Sequence, residues 1–247
     1  MLAPLCALAA SVTRPPRVSL RAAAALALAA LCGAPFAALA PRPAAAASLA
    51  GSLALVEKGG PVREAADAVV WYVPDGGAPR PAPVRAEVQT RERRFIPRVT
   101  VVPVGSEVWF PNGDPILHNV FSVSPGNRFD LGLYRKGPGR AARFATPGLV
   151  RVYCNVHQAM VAYVVVLDTP HVARPTADGA FVLDGLPEGR GTLHVWHERT
   201  GAWSRAVSVP ADGPLAITLE AAPRRPELHL DKHGRPYRED ARDDDYR

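Results

Sequence analysis

Residues 153–160 read Tyr-Cys-Asn-Val-His-Gln-Ala-Met and follow a β-branched, alternating run that predicts a strand over residues 149–154. Cys154, His157 and Met160 stand at three-residue steps in this segment. A thiolate, an imidazole and a thioether can therefore turn toward one point. Soft thiolate and thioether donors combined with imidazole favour copper. The segment predicts a copper site that needs one more ligand from elsewhere in the chain.

His118 is the candidate for that ligand. Two histidines and a cysteine in a trigonal plane, with a weak axial methionine, form a blue-copper electron-transfer site. His118 opens a predicted strand over residues 118–122, which would lie beside the Cys154 strand in a Greek-key sandwich. We therefore predict one type 1 copper ion held by His118, Cys154, His157 and Met160.

The sequence around these ligands resembles the cupredoxin family over about residues 84–168. The matching motifs, in the family's order, are Phe95-Ile96-Pro97, Val104-Gly105, Val108-Trp109-Phe110-Pro111-Asn112, His118-Asn119-Val120, Thr146-Pro147-Gly148 and the ligand loop. The spacing of that loop looks most like amicyanin, the His-Asn step is shared with plastocyanin, and the chain also resembles methylamine utilisation proteins. The resemblance implies the same four copper ligands. It also implies that Asn119 makes a hydrogen bond that steadies the Cys154 sulfur.

Two other interpretations of the motif stay open. Zinc is the alternative metal, although methionine is a poor zinc ligand. Nucleophilic catalysis by Cys154 with His157 as its base is the enzymatic alternative, but the sequence supplies neither a group to orient that histidine nor an oxyanion hole. A binuclear copper centre would need a second cysteine near the first.

The fold class predicted by the chain is all-β. Its 20 glycines and 26 prolines suit short strands joined by turns, and residues 48–222 contain no sustained apolar pattern at helical spacing. The predicted strands are residues 52–56, 68–73, 86–90, 98–102, 107–110, 118–122, 142–145, 149–154, 162–168, 180–183, 191–197, 204–209 and 215–220. So many strands at short spacing indicate sandwiches or barrels.

Motifs on both sides of the cupredoxin-like region indicate a second, smaller β-sandwich. They are Gly60-Pro61-Val62 and Ala68-Val69-Val70 before it, and Thr176 to Leu183 and Leu186 to Gly189 after it. Residues 50–75 and 174–221 resemble the two parts of a carboxypeptidase regulatory-like domain, a transthyretin-type sandwich. This implies that the cupredoxin is inserted into a loop of that sandwich. A consecutive arrangement, with an enlarged cupredoxin followed by a small β domain, is the alternative.

Four further histidines, at positions 194, 197, 229 and 233, lie outside the predicted copper site. Alternation along a strand places His194 and Trp196 on one face and His197 on the other, so we interpret these as packing and surface residues. His229 and His233 could bind a metal loosely. They lie in residues 223–247, which carry seven basic and seven acidic residues with little to bury, and which we expect to form a disordered polar tail.

Residues 1–47 predict a secretory signal peptide. They contain four arginines and no acidic residue, and an apolar run from Ala22 to Ala40 precedes four alanines that end at Ala47. Cleavage there would leave Cys154 and Met160 as the remaining cysteine and methionine. The formal charge would fall from +6 to +2, which argues against a nucleic-acid partner. An N-terminal membrane anchor is the alternative.

These features together predict a periplasmic or secreted type 1 copper protein that carries single electrons between redox partner proteins. We expect no enzymatic activity and no stable membrane insertion after signal cleavage. The alternative function is a copper-binding or copper-delivery module that its second β-sandwich docks to a larger assembly.

Overall fold

The computed structural model describes residues 47–225 and 229–237, and nearly all of its regular structure is β-strand. The strands in chain order are β1 (Ala47–Glu57), β2 (Gly60–Val62), β3 (Val69–Pro74), β4 (Arg85–Glu87), β5 (Gln89–Arg91), β6 (Arg94–Ile96), β7 (Val99–Pro103), β8 (Glu107–Asn112), β9 (His118–Ser122), β10 (Phe129–Tyr134), β11 (Gly137–Arg143), β12 (Gly148–Cys154), β13 (Val161–Leu167), β14 (Val172–Ala173), β15 (Ala180–Leu186), β16 (Gly189–His197), β17 (Gly201–Val209) and β18 (Leu215–Glu220). Within the described ranges there is no α-helix, and a single 3-10 turn spans Ala65–Asp67. The all-β prediction is confirmed.

The predicted signal peptide lies outside the described residues, apart from Ala47 at the start of β1. None of the helical structure in residues 47–225 and 229–237 is long and apolar enough to cross a bilayer. Every predicted strand overlaps an observed strand, whereas β2, β6, β10 and β14 were not predicted.

The segments that flank residues 85–167 build two four-stranded sheets. One has the order β15-β1-β18, with β2 paired to β1, and the other has the order β14-β3-β16-β17. Strand β1 is central in the first sheet, because it pairs antiparallel with β15 and parallel with β18. Side chains from both sheets, including Leu53, Tyr72, Leu193 and Ile217, share one buried core. These strands form the flanking sandwich.

Residues 85–167 build two five-stranded sheets. Their orders are β10-β9-β12-β13-β7 and β11-β8-β5-β6, and β4 also pairs with β8 in the second sheet. A second core between these sheets contains Phe110, Phe144, Val152, Cys154 and Met160. We call this part the central sandwich. Both sulfur-bearing residues of the sequence motif belong to its core.

Strand pairing separates the two sandwiches. In the described ranges, strands of the central sandwich pair with one another and those of the flanking sandwich do likewise. The chain leaves the flanking sandwich after β3 and returns to it at β14. The predicted domain limits, the insertion of one domain into the other and the regulatory-like identity of the flanking sandwich stay predictions.

An apolar interface joins the two sandwiches. Val161, Tyr163 and Val165 of β13 pack there with Val69 of β3 and Trp196 of β16. The ring centroids of Tyr163 and Trp196 are 5.0 Å apart. Successive side chains of a strand point to opposite faces, and all seven residues of β13 are buried. One strand therefore serves both the central core and the interface.

Residues 229–237 differ from the expected disordered tail of residues 223–247. The imidazole of His229 stacks on the ring of Tyr153, with centroids 4.2 Å apart, and also contacts Phe121. His229 is 8% exposed. The composition of the tail is highly charged, but its His229 side chain covers two rings on the outer face of β9 and β12.

The interface predicts a large stability effect for Trp196. Trp196→Ala should lower the free energy of unfolding by about 3–5 kcal/mol, because a buried ring would leave a cavity between the sandwiches. Trp196→Phe should cost less, since it keeps an aromatic ring against Tyr163. Urea unfolding of the three proteins measures both effects. Equal stability of Trp196→Ala and the wild type would contradict a packed interface.

Candidate metal centre

Strand pairing brings the two distant parts of the sequence motif together. His118 is the first residue of β9 and Cys154 is the last residue of β12. The two strands are antiparallel neighbours, with Tyr153 opposite Phe121 and Cys154 opposite Val120. The backbone N–H of Asn155 also donates to the Asn119 carbonyl oxygen at 2.9 Å. This register places His118 beside the end of β12.

A short closed loop brings in the third residue. The backbone N–H of Met160 donates to the His157 carbonyl oxygen at 3.0 Å, and that of Cys154 donates to the Met160 carbonyl oxygen at 3.2 Å. The loop between β12 and β13 therefore turns back on itself immediately after Cys154. His157 lies within this turn, three residues from the sulfur.

The three side chains converge on one point. Cys154 Sγ is 3.6 Å from His118 Nδ1 and 3.6 Å from His157 Nδ1. The candidate ligand atoms of these residues all lie within 4.8 Å of one another. Metal–ligand bonds of about 2.0–2.3 Å separate donors that share an ion by roughly 3.3–4 Å. The sulfur–nitrogen distances thus fit donors around a common ion, and the donor types fit copper.

Burial and backbone amides set the state of the sulfur. Burial raises the pKa of the Cys154 thiol, and the backbone N–H groups of Asn119, Val156 and His157 act against this shift. Cys154 is 0% exposed. Burial and the three backbone amides thus act in opposite directions on the ionisation of the Cys154 thiol.

An acidic residue that sequence reasoning missed contacts His118. The carboxylate Oδ2 of Asp114 lies 3.0 Å from His118 Nε2. Burial lowers the pKa of His118, against the opposing effect of Asp114. Burial disfavours ionisation of Asp114, but the backbone N–H groups of Arg93 and Glu92, together with His118, hold the pKa of Asp114 below its usual value. An acid four residues before the first histidine was the available sequence signal.

The backbone and the side chain of Asn119 contact different partners. Its backbone N–H faces the Cys154 sulfur, while its side-chain Nδ2 donates to Asp130 Oδ1 at 2.6 Å. The role given to Asn119 by the family resemblance, a hydrogen bond that steadies the sulfur, stays a prediction. The backbone amide is the group placed to make it.

Met160 is buried, and it lies close in sequence to Cys154 and His157. It is 2% exposed and belongs to the same core as Cys154. Its backbone forms hydrogen bonds with the backbone of His157 and of Cys154, and these bonds close the loop between β12 and β13. The assignment of its thioether as the axial ligand stays a prediction.

His194 and His197 serve in packing. The ring of His194 stacks on Trp71, with centroids 5.0 Å apart. His197 is buried, and its Nδ1 accepts the backbone N–H of Arg199 at 3.3 Å. Within residues 47–225 and 229–237, the group formed by His118, Cys154 and His157 is the one cluster of three or more His, Cys, Asp or Glu residues arranged to hold a metal.

No protein-family model and no curated protein matches this chain. The solved structures that it is similar to include cupredoxins, which match part of the chain. A purple cupredoxin from Nitrosopumilus maritimus is 22% identical with a TM-score of 0.31, and the match covers 33% of this chain and 99% of that chain. Amicyanin from Paracoccus versutus is 20% identical with a TM-score of 0.30, covering 39% and 91%. A mutant fern plastocyanin is 22% identical with a TM-score of 0.30, covering 33% and 99%.

The C-terminal segment 229–237 holds the end of β12 from outside. Tyr237 Oη donates to the Cys154 carbonyl oxygen at 2.8 Å. The backbone N–H of Lys232 donates to Asn155 Oδ1 at 2.8 Å, and Lys232 Nζ pairs with Asp130 Oδ2 at 2.6 Å. The segment thus fixes the backbone of the residue that supplies the sulfur, without entering the group of donor atoms.

Removing the Tyr237 hydroxyl should loosen this end of β12. Tyr237→Phe should lower the free energy of unfolding by about 1 kcal/mol, which is typical of one lost hydrogen bond. Hydrogen exchange at the Asn155 amide should become faster. Arg235→Ala is the matched control, because it removes an ion pair with Asp231 inside the segment and keeps the contacts of the segment with Cys154 and Asn155. Unchanged exchange at Asn155 in Tyr237→Phe would argue against this role of the segment.

Proposed function

We propose that this chain is a periplasmic type 1 copper protein that carries single electrons between redox partner proteins. The observation that carries the proposal is the convergence of His118 Nδ1, Cys154 Sγ and His157 Nδ1. A thiolate with two imidazoles is the donor set of a blue-copper centre. Copper bound there would supply a one-electron Cu(II)/Cu(I) couple.

The contribution of the protein is to keep the donor atoms in place in both oxidation states. His118 and Cys154 lie at the ends of paired strands and are both 0% exposed. Close packing restricts their movement. The turn that contains His157 is closed by hydrogen bonds to the same strand end. A group of ligands assembled in this way needs little rearrangement on gain or loss of an electron.

His157 is the most accessible of the three donors. It is half-buried, whereas His118 and Cys154 are completely buried. An electron that enters or leaves over a short distance would therefore pass through the His157 ring. We propose that the partner proteins dock at the end of the central sandwich where His157 lies.

The environment of the sulfur favours a carrier over a cysteine-dependent enzyme. A nucleophilic cysteine needs an accessible thiolate with a lowered pKa. Cys154 is 0% exposed, and burial raises the pKa of its thiol. A substrate would have no path to the sulfur without opening the core. We therefore propose that the chain has no catalytic activity of its own.

The first test is a titration of the purified protein with Cu(II). One equivalent should produce intense visible absorption, because a short thiolate–Cu(II) bond gives strong charge transfer. Cys154→Ser should lose this absorption. His194→Ala is the control, because that histidine stacks on Trp71 outside the cluster. Weak absorption typical of nitrogen and oxygen ligands in the wild type would contradict the proposed function.

The same protein distinguishes a carrier from a copper-delivery module. A carrier should show fast, reversible voltammetry and should retain its copper against a competing Cu(I) chelator. A delivery module should give up the ion to the chelator. Burial of His118 and Cys154 favours retention.

Substitution of Met160 tests the axial position. Met160→Gln should lower the reduction potential, because an amide oxygen is a harder donor that favours Cu(II). Met160→Leu should raise it, because the leucine side chain supplies no donor. Both variants should still bind copper through His118, Cys154 and His157. Voltammetry of the three proteins checks the opposite shifts, and an unchanged potential in both variants would remove Met160 from the ligand set.

A further inference from the structure

The two ring nitrogens of His118 face two different partners. Nδ1 lies 3.6 Å from Cys154 Sγ, and Nε2 lies 3.0 Å from Asp114 Oδ2. Both residues of the Asp114–His118 pair are buried, with residue exposures of 7% and 0%. Burying a charge is costly unless it is fully hydrogen-bonded. The buried Asp114 carboxylate must therefore have further hydrogen-bond donors besides His118.

Asp114 is anchored from the opposite side by the β5–β6 hairpin. Its Oδ1 accepts the backbone N–H of Glu92 at 2.6 Å, and its Oδ2 accepts that of Arg93 at 2.9 Å. Both turn residues have positive φ, 53° and 56°, as in a two-residue type I′ hairpin turn. The turn thereby presents two successive amides to one carboxylate.

A second set of hydrogen bonds fixes the backbone around Asp114. Its N–H donates to Asn112 Oδ1 at 2.8 Å, and Asn112 Nδ2 donates to the Ile116 carbonyl oxygen at 2.9 Å. The carboxylate therefore has little freedom to move away from His118. Its position is set by β8, the hairpin turn and the loop that leads into β9.

The contact determines where the imidazole carries its proton. An ionised carboxylate only accepts hydrogen bonds, so a neutral His118 has its proton on Nε2. Nδ1 then keeps its lone pair, and this lone pair is directed toward the space beside the sulfur. A negative charge on the far side of the ring also increases the basicity of the donating nitrogen.

We infer that Asp114 is a positioning residue for the metal site: its carboxylate holds the Nε2–H tautomer of His118 and strengthens Nδ1 as a donor. This inference rests on the proposed function for its effect on copper, but the tautomer belongs to the metal-free protein. The stronger donor and the nearby negative charge should both stabilise Cu(II) relative to Cu(I). Asp114 thus lowers the reduction potential of the centre.

The test begins with the wild-type protein without metal. Nitrogen-15 NMR of its histidine side chains should find His118 neutral and protonated on Nε2. Asp114→Ala should lose this preference for one tautomer. His194 provides an internal reference, since no carboxylate is involved in its stacking on Trp71. A wild-type His118 protonated on Nδ1 would overturn the inference even if the variant fails to fold.

Copper binding supplies the second readout. Asp114→Ala should reduce the affinity for Cu(II) by about 10–100-fold, which is typical for the loss of a residue that orients a metal ligand. Asp114→Asn, which removes the charge and preserves the volume, should raise the reduction potential. Asp178→Asn is the matched control, because the Asp178 carboxylate accepts a hydrogen bond from Thr176 in the connection between β14 and β15, outside the candidate site.

The outcomes separate this inference from the proposed function. A folded Asp114→Asn variant with the potential of the wild type, or an equal shift in Asp178→Asn, would overturn a specific role for Asp114. Failure of the wild type to bind Cu(II) would overturn the proposed function, while the tautomer measured without metal would still decide whether Asp114 orients His118.

Discussion

The antiparallel pairing of β9 with β12 is the constraint on which the candidate site depends. It is short: two residue pairs, Phe121 with Tyr153 and Val120 with Cys154, carry it. These pairs place the start of one strand beside the end of the other, so a histidine and a cysteine 36 positions apart become neighbours. A slip of one residue would turn Cys154 out of the core, because strand side chains alternate between faces. The relative positions of His118 and Cys154 therefore depend on this register.

Several independent contacts maintain that register. On the inner face, Val120, Val152 and Cys154 are fixed by the packing of the central core. On the outer face, the rings of Phe121 and Tyr153 are covered by His229. The next strand, β13, pairs with β12 through residues 161–166 and is buried between the central core and the interface. Because these contacts fix the surrounding strands, the buried donor atoms are held in one arrangement.

The local part of this organisation could be predicted from the sequence. Cys154, His157 and Met160 stand close together in the chain, and the alternating runs before Cys154 and after His118 carry a clear strand signal. The convergence of His118 with Cys154 and His157 then required only that the two strands be neighbours. The pattern of short strands also predicted the all-β class, which holds throughout the described residues.

Other features depend on contacts that a single sequence does not display. Strand β10 contains Asp130 and Gly132 and shifts its register against β9, so its sequence lacks the usual alternation. The segment 229–237 is too polar to predict a packed structure, and its ordering depends on rings located more than 70 residues earlier. No sequence motif marks Asp114. Its carboxylate is held by backbone N–H groups of residues 92 and 93, which belong to the turn between β5 and β6.

The arrangement around His118 links these local and distant parts. The strand register places Nδ1 beside the sulfur, but an imidazole can rotate or exchange its proton between nitrogens unless something holds the other side of the ring. The hairpin turn at residues 92–93 fixes Asp114, and Asp114 contacts Nε2. Cys154 and His157 are thus close in sequence, whereas His118 comes from a distant strand and contacts an acidic residue held by another hairpin. A cupredoxin-like motif alone would specify which atoms bind, whereas the charge held behind His118 specifies how strongly that ring donates.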